Sequence, residues 1–162
     1  MWTRALKRMS GGGVMRLVDI LARKGCEVVC IEPDRTLMDA AALLDERKIG
    51  ALLVRDACMQ GMLTVRDVIH TLHFRAAELP LLRVRDIMSC ELTLGRIEDT
   101  VRQAMSVMLH RRIRHLPVLD GAALAGMVSM GDLVSAELDA ADIDVRMFED
   151  YVRGWVPWGK TG

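Results

Sequence analysis

Aromatic side chains are scarce in this chain: Phe, Trp and Tyr make up 4% of its 162 residues, while apolar residues of all kinds reach 51%. The core must therefore be aliphatic, built from Leu, Val, Ile, Ala and 12 Met. The same shortage removes the stacking platforms on which single-stranded nucleic acids are held. Net charge is missing too. Twenty-two basic and 22 acidic residues cancel, so the phosphate neutralisation that drives nucleic-acid affinity has no chain-wide source. No apolar run approaches the roughly 18 residues of a membrane helix; the longest, Ala122 to Val128, reads as a turn and a strand. Cys26, Cys30, Cys58 and Cys90 lack the paired spacing of a zinc site. They are expected to be reduced, mostly buried thiols of a cytoplasmic protein. The opening MWTRALKRMSGGGVM has basic residues but no apolar core of a secretory signal, and residues 1–15 read as a flexible leader.

What the chain does have is one phrase written twice. GMLTVRDVI runs from Gly61 to Ile69, and GMVSMGDLV from Gly126 to Val134. In register with them, Val18-Asp19-Ile20-Leu21 matches Arg85-Asp86-Ile87-Met88, and Thr36-Leu37-Met38-Asp39-Ala40 matches Thr100-Val101-Arg102-Gln103-Ala104. Leu52-Leu53-Val54-Arg55-Asp56 matches Leu116-Pro117-Val118-Leu119-Asp120. The offset moves only from 67 residues (18 to 85) through 64 (36 to 100) to 65 (61 to 126), so one unit is repeated with small loop differences.

Each unit reads as β-α-β-β-α preceded by a short helical turn, which places the chain in the α/β (α+β) class. The turns are expected near 17–23 and 84–88, and first strands near 28–31 and 91–94. Helices at 36–47 and 100–111 both open with a capping box, Thr36-x-x-Asp39 and Thr100-x-x-Gln103. In the second, Val101, Ala104, Met105, Met108 and Leu109 form one apolar stripe. Hairpins follow over 51–55 with 61–64 and 116–119 with 124–128, turning at Asp56 and at Asp120-Gly121, and final helices start at 65 and 130. Units near 60 residues are marginal alone, so the two, 16–79 and 84–138 joined by the linker 80–83, are expected to pack as one body. Residues 139–162 form a tail whose Ile143, Met147, Phe148, Tyr151 and Val152 share a helical face.

The order β-α-β-β-α in tandem, with RHLPVLDG at 114–121 and a G-h-h-[ST]-x-x-D phrase in each copy, resembles the cystathionine β-synthase (CBS) domain pair over about residues 16 to 138. The resemblance implies a pseudo-twofold body, often called a Bateman module. It implies a cleft between the units that takes an adenine nucleotide: AMP, ADP, ATP, NAD or S-adenosylmethionine. It also implies a non-catalytic regulatory role, with no required cofactor, no metal, an unidentified protein partner and a disc-like homodimer. In that dimer the stripe Val101, Ala104, Met105, Met108 and Leu109 and its counterpart Leu37, Ala40, Ala41 and Leu44, richer than one small core requires, are expected to face a second pair. Inosine monophosphate dehydrogenase carries such a pair, but its catalytic barrel needs some 250 residues of its own, so that activity is not expected here.

Two readings compete for the doubled phrase. Thr64-x-x-Asp67 and Ser129-x-x-Asp132 are capping boxes by spacing alone. The same geometry sets a helix N-terminus at a sheet edge, where backbone N–H groups favour a phosphate. By resemblance the hydroxyl meets that phosphate and the Asp meets a ribose. Arg66 is suited to gripping a phosphate bidentately, and Arg114 and His115 stand where relatives line the phosphate end of the cleft. Thr64, Arg66, Asp67, Arg114, His115, Ser129 and Asp132 are thus the candidate ligand-binding residues, with none catalytic. Gly131 stands where the first copy has Arg66, so two equivalent clefts are not expected. The basic cluster Arg111 to His115 keeps nucleic-acid binding as the rival reading, and a purely structural interaction module as another. His70 and His73, three apart on a helix, have no third ligand in helical register and are read as solvated or half-buried.

Overall fold

The computed structural model describes residues 14–140. Two three-stranded sheets carry five helices. In chain order these are α1 (Leu17–Lys24), β1 (Cys30–Ile31), α2 (Leu37–Glu46), β2 (Ala51–Arg55), β3 (Met59–Thr64) and α3 (Val65–Arg75). There follow β4 (Gly95–Arg96), α4 (Val101–Arg111), β5 (His115–Asp120), β6 (Ala123–Ser129) and α5 (Met130–Ala140). The sheets are ordered β1-β2-β3 and β4-β5-β6, with the first pair parallel and the second antiparallel in each. Both hairpins shift register at the same place, after Val54 and after Val118. The repeat read from sequence is thus a repeat of structure.

The capping boxes form as spaced. Thr36 Oγ1 accepts from the Asp39 N–H at 3.0 Å, and Thr100 Oγ1 accepts from the Gln103 N–H at 3.1 Å. Each acid or amide side chain reaches back to the cap backbone, which satisfies two of the four unpaired donors of a helix start.

The cores do not follow the sequence order. Leu17, Ile20 and Leu21 of α1 are buried against Val101, Ala104, Met108, Leu116, Val118 and Val128, in the second unit's core. Reciprocally, Leu82 and Val84 are buried with Ile31, Leu37, Leu44, Leu52, Val54 and Leu63, in the first. The 3-10 turn Val84–Asp86 is the counterpart of α1 in the repeat. The backbone repeats the exchange: the Leu17 N–H donates to Asp99 O, and the Val84 N–H to Arg35 O. Residues 80–83 are therefore no free spacer. Leu82 is buried and its carbonyl accepts from the Leu37 N–H at 2.9 Å.

This exchange explains the glycine of the doubled phrase. A Cβ at Gly126 would lie 2.6 Å from Leu21 Cδ2, and one at Gly61 would lie 2.8 Å from Ser89 O and 2.9 Å from Met88 Sδ. Leu21 and Met88 are matched positions of the repeat. Each glycine is the bare spot on its sheet where the other unit's helical turn lands.

Three expectations need correction. The strand expected over 91–94 is instead the pair Gly95–Arg96, and that over 28–31 shrinks to Cys30–Ile31. Ser89 exchanges two backbone bonds with Met62, at 2.9 and 3.0 Å, which holds the chain beside β3 before it can run along β5. The thiols are not mostly buried: Cys26, Cys58 and Cys90 are exposed and Cys30 is half-buried, because they fall in turns and at the chain's entry to β1. Finally, the α4 stripe is not a surface. Val101, Ala104 and Met108 are consumed by the chain's own second core, and of the stripe only Leu109 is well exposed. The apolar face expected at 143–152 lies outside the described residues.

Gly126→Ala is expected to cost about 1–3 kcal/mol in urea unfolding, the usual penalty of overpacking. Adding Leu21→Ala should cost less than the sum of the two single changes, because the second removes the atoms the first collides with.

Candidate functional site

The exchange leaves two clefts along the seam between the units. The first, about 220 Å³, is lined by Gly50, Met62, Thr64, Arg66 and Asp67 from one unit and by Ser89, Glu91–Thr93 and Arg112–His115 from the other. The second, about 270 Å³, is lined by Lys24, Glu27, Val29, Lys48–Ala51, His115, Met127, Ser129 and Asp132. The seven residues picked from sequence therefore divide. Thr64, Arg66, Asp67, Arg114 and His115 meet in the first cleft; Ser129 and Asp132 meet in the second, where His115 also forms a wall.

At the head of α3 the Thr64 N–H donates to Asp67 Oδ2 at 2.8 Å, and the Thr64 hydroxyl donates to the same oxygen at 2.6 Å. Both Thr64 bonds fall on Oδ2, so Oδ1 takes neither. The capping role is thus real, and it fixes the carboxylate at the cleft rather than competing with a ligand role. The basic cluster is split by the fold. Arg112, Arg114 and His115 line the first cleft, while Arg111 does not.

At the head of α5 the Ser129 N–H donates to Asp132 Oδ2 at 2.7 Å, and the Asp132 N–H donates to Ser129 Oγ at 3.2 Å. A third donor is present here: Lys24 Nζ lies 2.5 Å from the same Oδ2. Burial works to raise the Asp132 pKa. The Lys24 ammonium and the Ser129 donors outweigh it and hold the carboxyl below its ordinary value.

His115 sits between the clefts. Its Cε1 and Nε2 would lie 2.9 and 3.0 Å from a Cβ at Gly50, so the glycine admits the ring. Burial, then the Arg114 guanidinium, then Lys24 lower its pKa, against an opposing pull from Asp132. The ring is held neutral at neutral pH.

Sequence reasoning missed Lys24, Lys48, Glu91 and the cleft role of Arg112. One signal was available for Lys24 and Glu91: they are matched in the 67-residue register of the helical turns (24 to 91), and each lines the cleft of its unit's partner. Lys48 and Arg112 are matched too (48 to 112), and both have positive φ, 52° and 54°. A left-handed turn normally goes to glycine. Here it carries a long cation to a cleft in each copy, the kind of strain that accompanies sites.

A family model for the CBS domain matches residues 17–73 and 84–139. The chain belongs to the CBS-domain family. It is 34% identical over 110 residues to the CBS domain-containing protein YhcV of Bacillus subtilis (strain 168), spanning 66% of this chain and 76% of that protein. The crystal structure of the CBS-domain containing protein ATU1752 from Agrobacterium tumefaciens superposes with a TM-score of 0.74 at 34% identity, covering 78% of this chain and 96% of that one. The structure of CBSX2 in complex with AMP shares the fold, with a TM-score of 0.63 at 24% identity over 78% of this chain and 98% of that one. No helix among the described residues is long and apolar enough to cross a membrane, and His70 and His73 join no metal-binding group there. Both rings instead pack on Phe74, at 4.7 and 4.4 Å between centroids.

The lowered His115 pKa has a definite sign. The unfolded chain binds more protons than the folded one between the two pKa values, so this contribution is complete above about 6.5 and is lost as pH falls through that value toward the folded one. His115→Gln is expected to flatten the fall in unfolding free energy as pH drops below about 6.5, measured by urea titration. Separately, Arg112→Gly should leave stability unchanged or raise it by up to about 1 kcal/mol, since relief of the left-handed turn offsets glycine's entropy. The same change should weaken anion binding at the first cleft, read by calorimetry with AMP.

Proposed function

We propose that this chain is a non-catalytic sensor that binds an adenine nucleotide in the cleft between its two CBS units and passes occupancy to a protein partner. The observation that carries the reading is the first cleft. There a helix N-terminus with Thr64, the carboxylate of Asp67, and Arg66, Arg112 and Arg114 converge. Backbone N–H groups and guanidinium forks match a phosphate. Asp67, already aligned by its cap, accepts from ribose hydroxyls. Met62, Leu92 and Ile113 supply the apolar walls against which a base stacks. AMP, ADP, ATP, NAD and S-adenosylmethionine share the adenosine moiety that this set recognises. The AMP held by CBSX2 supports the ligand class and no more.

The protein is proposed to act as a cytoplasmic homodimer. With Met108 buried inside one chain, the support for self-association moves to exposed apolar residues on the helices: Met38 on α2, Ile69, Leu72 and Phe74 on α3, and Leu109 on α4, each more than half exposed. A species near 36 kDa, twice the 18.1 kDa of one chain, is expected at micromolar concentration in sedimentation. A lone 18 kDa species would refute it. Met108→Glu should unfold the chain rather than split a dimer, because it buries a carboxylate without a partner.

The nucleotide reading is tested by Asp67→Asn. Asparagine keeps a side-chain oxygen that can accept both Thr64 bonds from the N3 position, so stability should change little while AMP affinity falls about tenfold or more, the scale of a charge-assisted hydrogen bond. Unchanged affinity in calorimetry would leave Asp67 with the cap alone. Nucleic-acid binding by the Arg112–Arg114 edge would show instead as salt-dependent retardation of a random duplex.

A further inference from the structure

The two clefts are built from matched residues, yet their charges are arranged differently. The first is lined by Arg66, Arg112 and Arg114 with Asp67 and Glu91; the second is lined by Lys24 and Asp132 with Lys48 and Glu27, of which Lys48 pairs with Asp45 at 2.7 Å and Glu27 with Arg47 at 3.3 Å. At the register position beside the carboxylate the sign is reversed: Lys24 in the second cleft, Glu91 in the first. Lys24 lies in the last turn of α1, where its charge suits the helix dipole. Gly25 at φ 95° then turns the chain away. From there Nζ donates to Asp132 Oδ2 at 2.5 Å, with the two side chains 34% and 26% exposed. No ion pair to Asp67 forms among the described residues.

We propose that Lys24 is a latch on the second cleft: its ammonium occupies the carboxylate that a ribose would need, so the chain binds nucleotide in the first cleft and holds the second closed. This rests on the reading of the clefts as nucleotide sites. A ribose offers two neutral hydroxyl donors, whereas the latch offers a cation already within bonding distance and attached to a packed helix. Among the described residues each carboxylate has Oδ2 filled by two donors and Oδ1 free; the difference is that one donor on Asp132 is the Lys24 ammonium, whereas both on Asp67 are neutral groups of Thr64. In the first cleft the matched residue, Glu91, is an anion and cannot donate to Asp67. The arginines there are left for phosphate. Lys24 is thus a specificity-determining residue that makes a twofold body asymmetric.

The test is calorimetry of the full chain with AMP. The unmodified protein should take one AMP per chain, in the first cleft, and lose that event with Asp67→Asn. Lys24→Met keeps the aliphatic stem and removes the cation. It should gain a second event, at least about tenfold tighter than any second binding by the unmodified protein. Adding Asp132→Asn should remove the gained event and leave the first. Lys24→Gln serves as the second variant if the methionine disturbs folding, with thermal unfolding as the control. A single AMP per chain in both the unmodified protein and the lysine variants overturns the latch and leaves the nucleotide reading standing. A second event that weakens when Lys24 is replaced also overturns it, by making Lys24 a ligand group. No AMP binding by any of these proteins overturns the nucleotide reading and the latch with it.

Discussion

The structure depends on one steric constraint: a helical turn from each unit lies against a glycine on the sheet of the other. Leu21 lands on Gly126, and Met88 with Ser89 lands on Gly61. Neither unit closes its own core. The first lacks an apolar cover until residues 82–88 arrive, and the second until residues 17–21 arrive. Units of this size bury too little surface to be secure alone, and the exchange turns two marginal cores into one cooperative body. It also fixes the seam. Because each turn docks across the boundary, the chain segments that follow it, 22–29 and 89–94, are carried into the space between the units, where they become cleft walls. Packing and site are consequences of the same contact.

Near-twofold arrangement gives two clefts the same parts: a capped helix head with a hydroxyl and a carboxylate, and a left-handed cation contributed across the seam. The repeat controls backbone position closely, to the point that both hairpins slip register at matched residues. It does not control side-chain charge. Arg66 against Gly131 and Glu91 against Lys24 lie outside both cores, so the apolar packing of the repeat leaves their charge open. Function is not indifferent, because a carboxylate paired with an ammonium and one beside a second acid are different acceptors. A duplicated frame with cleft positions outside the cores therefore yields two clefts of unlike charge.

How much of this was legible in the sequence depended on the range of the contact involved. The caps at Thr36, Thr64, Thr100 and Ser129 are decided within three residues, and their spacing announced them. The hairpins and the helices α2 and α4 followed from period and turn chemistry. The exchange was not legible, since amphipathicity shows that α1 has a buried face and not which core receives it. The α4 stripe shows the same limit: its period marks Val101, Ala104 and Met108 as apolar, and only the exchanged turn shows that Leu17, Ile20 and Leu21 cover them within one chain. The strand expected over 91–94 failed for a similar reason. ELTL alternates well enough for a strand, but Met62 claims the backbone at Ser89 first. Of the site, the residues at helix heads were found, and those brought in by the exchanged segments, Lys24 and Glu91, were not.

His115 ties the two clefts together. It begins β5, where its backbone pairs with Ser129, the cap of the second cleft's helix. Its ring crosses the seam to Gly50, which precedes β2, whose Ala51 pairs with Thr64, the cap of the first. One neutral imidazole thus bridges the strands that end at both helix heads. Gly50 leaves no slack: the ring already occupies the space of a side chain there, so one side chain walls both clefts. Coupling between sites needs a shared element whose position both ligands bias. In this chain the half-buried ring of His115 is one side chain that lines both clefts. It is also the group on which Arg114 of the first cleft and Lys24 and Asp132 of the second act electrostatically. The seam, rather than either helix head, is thus where the two clefts share a wall and an electrostatic environment.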